Sequence, residues 1–92
     1  MKIRWTPEAE NDRLNIMTYI AGDDPLAALR MDELFGESVR ALINFPEMGR
    51  DGIVPGTHEL FPHKAYRIVY QIDGEAIWVL AVVHTSRLWP NE

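Results

Sequence analysis

No cysteine occurs among the 92 residues, so disulfides and thiolate metal sites are excluded and nothing argues for an oxidising compartment. There is no basic segment followed by an apolar run of signal-peptide length, and no stretch approaches a membrane span. The expected location is therefore the cytoplasm, with no membrane partner. Positive charge is scarce: nine lysines and arginines stand against fourteen aspartates and glutamates, for a net charge of −5. A protein that grips nucleic acid through its phosphates usually carries a basic balance, so direct DNA binding by the chain alone is not expected. No Gly-rich phosphate cradle, no serine or cysteine nucleophile constellation and no metal-ligand spacing is visible, so neither a metal nor a cofactor is expected.

What is present is enough apolar material, 47% of residues, to pack one small domain spanning residues 1–92. Lys2 to Trp5 alternates polar and apolar residues and reads as a short strand. Thr6 then supplies an N-cap, Pro7 the first helical position, and Glu8 and Glu10 complement the helix dipole, which predicts a helix from about Pro7 to about Ile20. Its apolar positions are Ala9, Ile16, Met17 and Ile20, and Gly22 stops it. Asp23-Asp24-Pro25 repeats the start signal, and a second helix from about Pro25 to about Asn44 carries Ala28, Met31, Leu34, Phe35, Val39 and Leu42 on one stripe. Pro46 to Gly56 reads as a loop and Thr57 to Phe61 as an edge strand.

The most informative stretch is His63 to Pro90. Two β-branched and aromatic runs, Tyr66 to Ile72 and Glu75 to Val83, flank Asp73-Gly74, a strong hairpin signal. With Asp73 and Gly74 as the loop, Arg67 falls opposite Leu80, Val69 opposite Trp78, and His63 opposite His84. Strand alternation then puts all six on one face if no bulge intervenes. The expected class is α+β: a helical hairpin packed on a small, mainly antiparallel sheet in the order β-α-α-β-β-β. The strand from Ala76 to Val83 is apolar on both faces, so the face away from the helices must be covered or left as a patch for a protein partner.

These stretches, TPEAENDRLNIMTYIA, FPEMGRDGIVPGTHEL, YRIVYQIDGEAIWVLAVVH and the closing SRLWP, resemble in combination and order the toxins of the RelE/ParE superfamily from type II toxin-antitoxin modules. The resemblance covers essentially the whole chain. It implies a single toxin domain that inhibits bacterial growth when free and is neutralised by a cognate antitoxin. The antitoxin would occupy the apolar sheet face or the helix groove, by adding a strand or an amphipathic helix. ParE-like members poison DNA gyrase by binding it, RelE-like members are ribosome-dependent messenger-RNA endonucleases, and an inactive antitoxin-binding module is the third possibility. Direct DNA binding is not expected without the antitoxin.

Metal-free RNA cleavage needs a base, an acid and cations on the phosphate. On the nuclease reading Arg67 matches the family's phosphate-binding arginine, His84 lies near its C-terminal acid or base, and His63 joins them; Lys64, Arg87 and Glu59 could complete such a site. On the binding reading Arg50, Lys64, Trp78, Arg87 and Trp89 contact the target or the antitoxin, and Arg67 pairs with a carboxylate. Each has a plain structural alternative: a strand-end histidine such as His58, His63 or His84 can be merely solvated or hydrogen-bonded, a loop arginine merely solvated, and Trp89 can pack the tail on the sheet. The chain departs from the nuclease pattern in lacking a cluster of basic residues before the hairpin and in ending shortly after Trp89-Pro90. Together with the acidic balance, this favours the ParE-like expectation.

Overall fold

Thr6 joins the first strand to the first helix and serves both. In the computed structural model, which describes residues 1–90, β1 is Lys2–Trp5 and α1 is Pro7–Ala21. The Thr6 hydroxyl accepts from the Ala9 N–H at 3.1 Å and donates to the Leu80 carbonyl at 3.3 Å. The second helix, α2, is Pro25–Arg40, started by an Asp24 carboxylate that accepts from the N–H groups of Leu26 and Ala27, each at 3.1 Å. Both caps and both first-turn prolines are the ones expected. The helix expected to continue to about Asn44 tightens into a single 3₁₀ turn over Ala41–Ile43.

The remaining strands are β2 (Arg50–Asp51), β3 (Thr57–His63), β4 (Tyr66–Asp73) and β5 (Ala76–His84), forming one sheet in the order β1-β5-β4-β3-β2. β1 runs parallel to β5 and the other pairs are antiparallel. The expected architecture is therefore present, with one addition. The crossover contains the two-residue β2, so β3 lies second from the edge rather than at it.

The helices cover one face only. Leu60, Tyr66, Ile68, Tyr70, Ile77, Val79 and Val82 pack from the sheet against Ala9, Phe35, Val39 and Leu42. Phe35 and Tyr66 meet edge to face with ring centroids 5.6 Å apart, a geometry that aromatic quadrupoles favour. The two helices are joined by Arg13, which donates from Nε to Asp32 Oδ1 at 2.8 Å and from Nη2 to the Asp32 carbonyl at 3.1 Å. The same guanidinium lies 4.5 Å from the ring centroid of Trp5, a cation-π contact that reaches back to β1.

Two polar contacts hold irregular backbone in place. The buried Tyr70 hydroxyl donates to the Pro46 carbonyl at 2.8 Å and accepts from the Gly49 N–H at 3.0 Å, fastening the crossover to the sheet. A Cβ at Gly49 would lie 2.6 Å from that hydroxyl and 2.9 Å from the Glu59 carbonyl oxygen, so the close approach requires glycine. Past the end of β1, β5 would present open edge groups. Asp12 accepts from the Val82 N–H at 2.9 Å there, and Thr6 takes the Leu80 carbonyl, which closes part of that edge from α1.

The β4–β5 hairpin differs from the expected register in two ways. Asp73 pairs with Ala76, so the loop is Gly74-Glu75. Gly74 has a φ of 59° and no non-glycine among the described residues has a positive φ, the sign pattern of a type II′ turn, which wants glycine first. Then, between Tyr70 opposite Val79 and Val69 opposite Ala81, Leu80 is an extra residue in β5, a bulge that reverses the side-chain alternation beyond it.

Candidate functional site

The bulge divides the predicted constellation. Beyond Leu80, Ile68 faces Val82, Arg67 faces Val83 and Tyr66 faces His84. His84 consequently shares the helix-side face with Tyr66, whereas Arg67 stands on the outer face with Val69. The expected face bearing His63, Arg67, Val69, Trp78, Leu80 and His84 is corrected accordingly. Arg67, Val69 and Trp78 remain together on the outer face. His63 belongs to β3, across a tight turn at Lys64-Ala65, and pairs with Tyr66, which puts it on the helix side.

His63, Tyr66 and His84 form a row across three strands, with Tyr66 centroids 6.4 Å from His63 and 5.6 Å from His84. Each imidazole uses Nδ1 locally. His63 Nδ1 accepts from the Ala65 N–H at 3.0 Å, and His84 Nδ1 accepts from the Ser86 N–H at 3.1 Å and lies 2.7 Å from Ser86 Oγ. In the neutral rings the proton therefore sits on Nε2. Two strand spacings, roughly 10 Å, separate the histidines, with Tyr66 between them, and no group of three or more metal-ligating side chains occurs among the described residues. Burial pushes the Tyr66 phenol up from its ordinary value, with the Tyr19 phenol adding to the effect.

Arg67 is 8% exposed. Its Nη2 donates to the Arg87 carbonyl at 2.7 Å, and its Nε is buried with no hydrogen-bond partner among the described residues. The tail after β5 is thus tied across the outer face, and Val69 and Ala81 on that face are 0% and 2% exposed. Further tail contacts run to the β3–β4 turn: the Thr85 N–H donates to the Ala65 carbonyl at 2.9 Å and its hydroxyl to the Lys64 carbonyl at 3.0 Å. Lys64 and Arg87 are exposed around this end, and Trp89 is partly buried. Trp78 is partly buried beside Arg4 of β1 and Gln71 of β4.

Arg50 lies on the edge strand β2 and pairs with Glu59 of β3, which in turn pairs with Val69 of β4 and is 8% exposed. The Arg50 guanidinium sits 4.3 Å from the Phe61 ring centroid, and both border a groove of about 610 Å³ between α2 and β3. Leu34, Ala41, Met48 and Leu60 supply its apolar wall. Met48 is 56% and Phe61 42% exposed. Sequence periodicity places Leu34 on a helix stripe but cannot tell which strand edge that stripe overhangs, so this groove was not foreseen. Nearby, His58 stacks on Tyr70 with centroids 5.3 Å apart. Its Nδ1 is 4.0 Å from Asp51 Oδ1, beyond hydrogen-bonding distance.

Charge is distributed unevenly. Residues 7–43, the helical layer, carry eight acids and three arginines, whereas residues 60–72 and 76–90 contain no acid. The sheet end holding His63, Lys64, Arg67, His84 and Arg87 is therefore a cationic pole on an acidic protein.

Comparison with known proteins follows the same lines. The family model for the ParE toxin of the type II toxin-antitoxin system parDE matches residues 3–89. The candidate toxin Y4kP of Sinorhizobium fredii is 38% identical over 91 residues, covering 98% of this chain and 94% of the relative. A structure of the chromosomal ParDE system from P. aeruginosa superposes with a TM-score of 0.79 at 25% identity, covering 91% of this chain and 95% of that one. A YoeB/ParE toxin from Agrobacterium tumefaciens shares the fold, with a TM-score of 0.67 at 21% identity over 91% of this chain and 98% of that one.

Proposed function

Because this chain belongs to the ParE toxin family of type II toxin-antitoxin systems, we propose that, free of its cognate antitoxin, it arrests bacterial growth by binding and poisoning DNA gyrase. The observation that carries this reading over RNA cleavage is the placement of Arg67 and His84 on opposite faces of the hairpin. General acid-base cleavage of RNA needs the proton-transfer group and the phosphate-binding cation at one scissile phosphate. A bulged strand with a buried arginine on the reverse side does not bring them there. The net charge of −5 supports the same choice, because a ribosomal binder approaches a polyanion.

On this reading Arg50, Lys64, Trp78, Arg87 and Trp89 are contact residues for gyrase or the antitoxin. Incubating the purified chain with gyrase and relaxed plasmid tests it: supercoiling should fall and cleaved DNA complex accumulate, and the antitoxin should reverse both. Unchanged supercoiling together with no cleaved complex rejects the proposal.

One observation favours a second reading, ribosome-dependent messenger-RNA cleavage. His63 and His84 flank Tyr66 on one face and each keeps Nε2 free of local bonds, which supplies an acid and a base without Arg67. Primer extension after induction would then show new ends within translated codons.

A further inference from the structure

We propose that the α2–β3 groove, with Phe45 and Met48 at its rim, is a self-association surface whose occupant is a second copy of this chain, related by a two-fold axis. A two-fold interface uses one patch twice, so that patch must carry both halves of every contact: a knob and a hollow, a cation and an anion. The hollow is the groove between Leu34 of α2 and Phe61 of β3. The knob is the turn in which the Met48 N–H donates to the Phe45 carbonyl at 3.1 Å; Met48 also lines the groove, so knob and hollow adjoin.

Charge is divided in the same way. Glu37 on the α2 wall and Arg50 on the β2 side are both exposed. Neither takes part in the ion contacts found among the described residues, Arg13–Asp32 and His58–Asp51. Glu59 pairs with Arg50 across the strands but is buried, so the exposed charge on that wall is the guanidinium. A two-fold axis over the groove sets Glu37 of each copy against Arg50 of the other, two reciprocal pairs from one contact.

The area is sufficient. Phe45 is 66% exposed, and with Met48 and Phe61 it presents roughly 300 Å² of apolar surface, so two copies supply more than half of the roughly 1,000 Å² that a specific interface buries. The groove walls and the Glu37–Arg50 pairs supply the rest.

The contact runs through side chains and not through the sheet. The Gly52 N–H donates to the Thr57 carbonyl at 2.8 Å, so the backbone of Gly52, and of Arg50 two residues earlier, faces β3. The outward backbone of β2 is that of Asp51. A two-fold continuation of the sheet centred on Asp51 would oppose Asp51 to its own copy, and one centred on Arg50 would oppose Arg50 to its own. Like charges face each other in both, which blunts this edge and leaves the groove beside it as the contact.

Analytical ultracentrifugation of the full chain over roughly 1–100 µM, with circular dichroism as the check on folding, tests the assignment. The chain should sediment at twice its monomer mass at the upper end, and Met48→Lys, at an exposed position, should weaken the dimer at least tenfold. Glu37→Arg reduces the net negative charge, so general repulsion alone would tighten a dimer. Here it should weaken the dimer at least tenfold by facing Arg50 of the other copy with a cation, and adding Arg50→Gln should remove most of that loss. If Met48→Lys fails to fold, the Glu37→Arg series decides alone. A monomer at every concentration overturns the proposal, as does a dimer unmoved by these changes. A dimer dissociated only by Leu29→Lys, on the outer helical face, overturns it too, as does a monomeric chain whose Met48→Lys variant loses antitoxin or gyrase binding. A chain inactive on gyrase that still dimerises through this face supports the assignment and overturns only the gyrase reading.

Discussion

Tyr66 and His84 face one another across the β4–β5 pair with ring centroids 5.6 Å apart and an interplanar angle of 81°, while Arg67, the next residue along β4, faces away. This edge-to-face contact gives His84 a packing role. His84→Ala should cost about 0.5–1.5 kcal/mol, measured by urea denaturation, and should leave growth arrest on expression intact. Loss of arrest in a variant that folds normally would instead place His84 in the toxic chemistry.

The crossover depends on one phenol. Tyr70→Phe leaves the Gly49 N–H and Pro46 carbonyl without their partner and should destabilise the chain by about 1–3 kcal/mol. Burial pushes the Tyr70 phenol's pKa up from its ordinary value, the Gly49 N–H opposes that and Glu47 adds to it, so the hydroxyl stays a donor well into alkaline solution. Gly49→Ala should destabilise in either background, because its Cβ would also lie 2.8 Å from a ring carbon of Tyr70 and 2.9 Å from the Glu59 carbonyl oxygen. Rescue of Gly49→Ala by Tyr70→Phe in a denaturation series would contradict this packing.

Asp12 makes a pH-dependent contribution with an unusual sign. Burial raises its carboxyl above the ordinary aspartate range, the Val82 N–H partly offsets this, and Glu8 adds to the rise. A folded-state value above the unfolded one means the folded chain binds the extra proton. The Asp12 contribution therefore favours folding at low pH and declines as pH rises from the unfolded value through the folded one. Asp12→Asn, which keeps an acceptor for Val82, should remove that decline and flatten the acid side of the stability profile. Asp12→Ala should cost about 1–3 kcal/mol by leaving the Val82 N–H unpaired. An Asp12→Asn profile that matches the parent across the acid range would refute the assignment.

Arg50 offers a test separated from stability. It is exposed, on a two-residue strand, stacked over Phe61 and paired across the strands with Glu59, so Arg50→Gln, which adds no second acid opposite Glu59, should change stability by no more than about 1 kcal/mol. As a proposed target contact beside the α2–β3 groove, it should nevertheless reduce growth inhibition on expression. Full toxicity in this variant would remove Arg50 from the contact surface.

Much of this architecture was legible in the chain because local chemistry specified it. Thr6-Pro7 and Asp24-Pro25 start the helices where expected, and Ala28, Phe35, Val39 and Leu42 are buried on the expected stripe. The site was less legible, for two physical reasons. Asp73-Gly74 marks a turn but not which two residues form its loop, and Gly74-Glu75 works because only the first position needs a positive φ. The bulge at Leu80 has no local signature: it lies just past the end of β1, where Thr6 and Asp12, more than sixty residues away in the chain, bond Leu80 and Val82. One extra residue then moves His84 to the other face, which strand alternation alone cannot anticipate. His63 falls on a different strand for a similar reason: Lys64-Ala65 reads as continuing strand but forms a turn.

The gyrase assay tests the central claim most directly. Purified chain added to gyrase and relaxed plasmid should suppress supercoiling and trap cleaved DNA, with both effects abolished by the antitoxin, while messenger RNA from arrested cells remains intact. Undisturbed supercoiling with no trapped complex, accompanied by new transcript ends inside codons, would contradict the account and transfer the activity to the His63–Tyr66–His84 row.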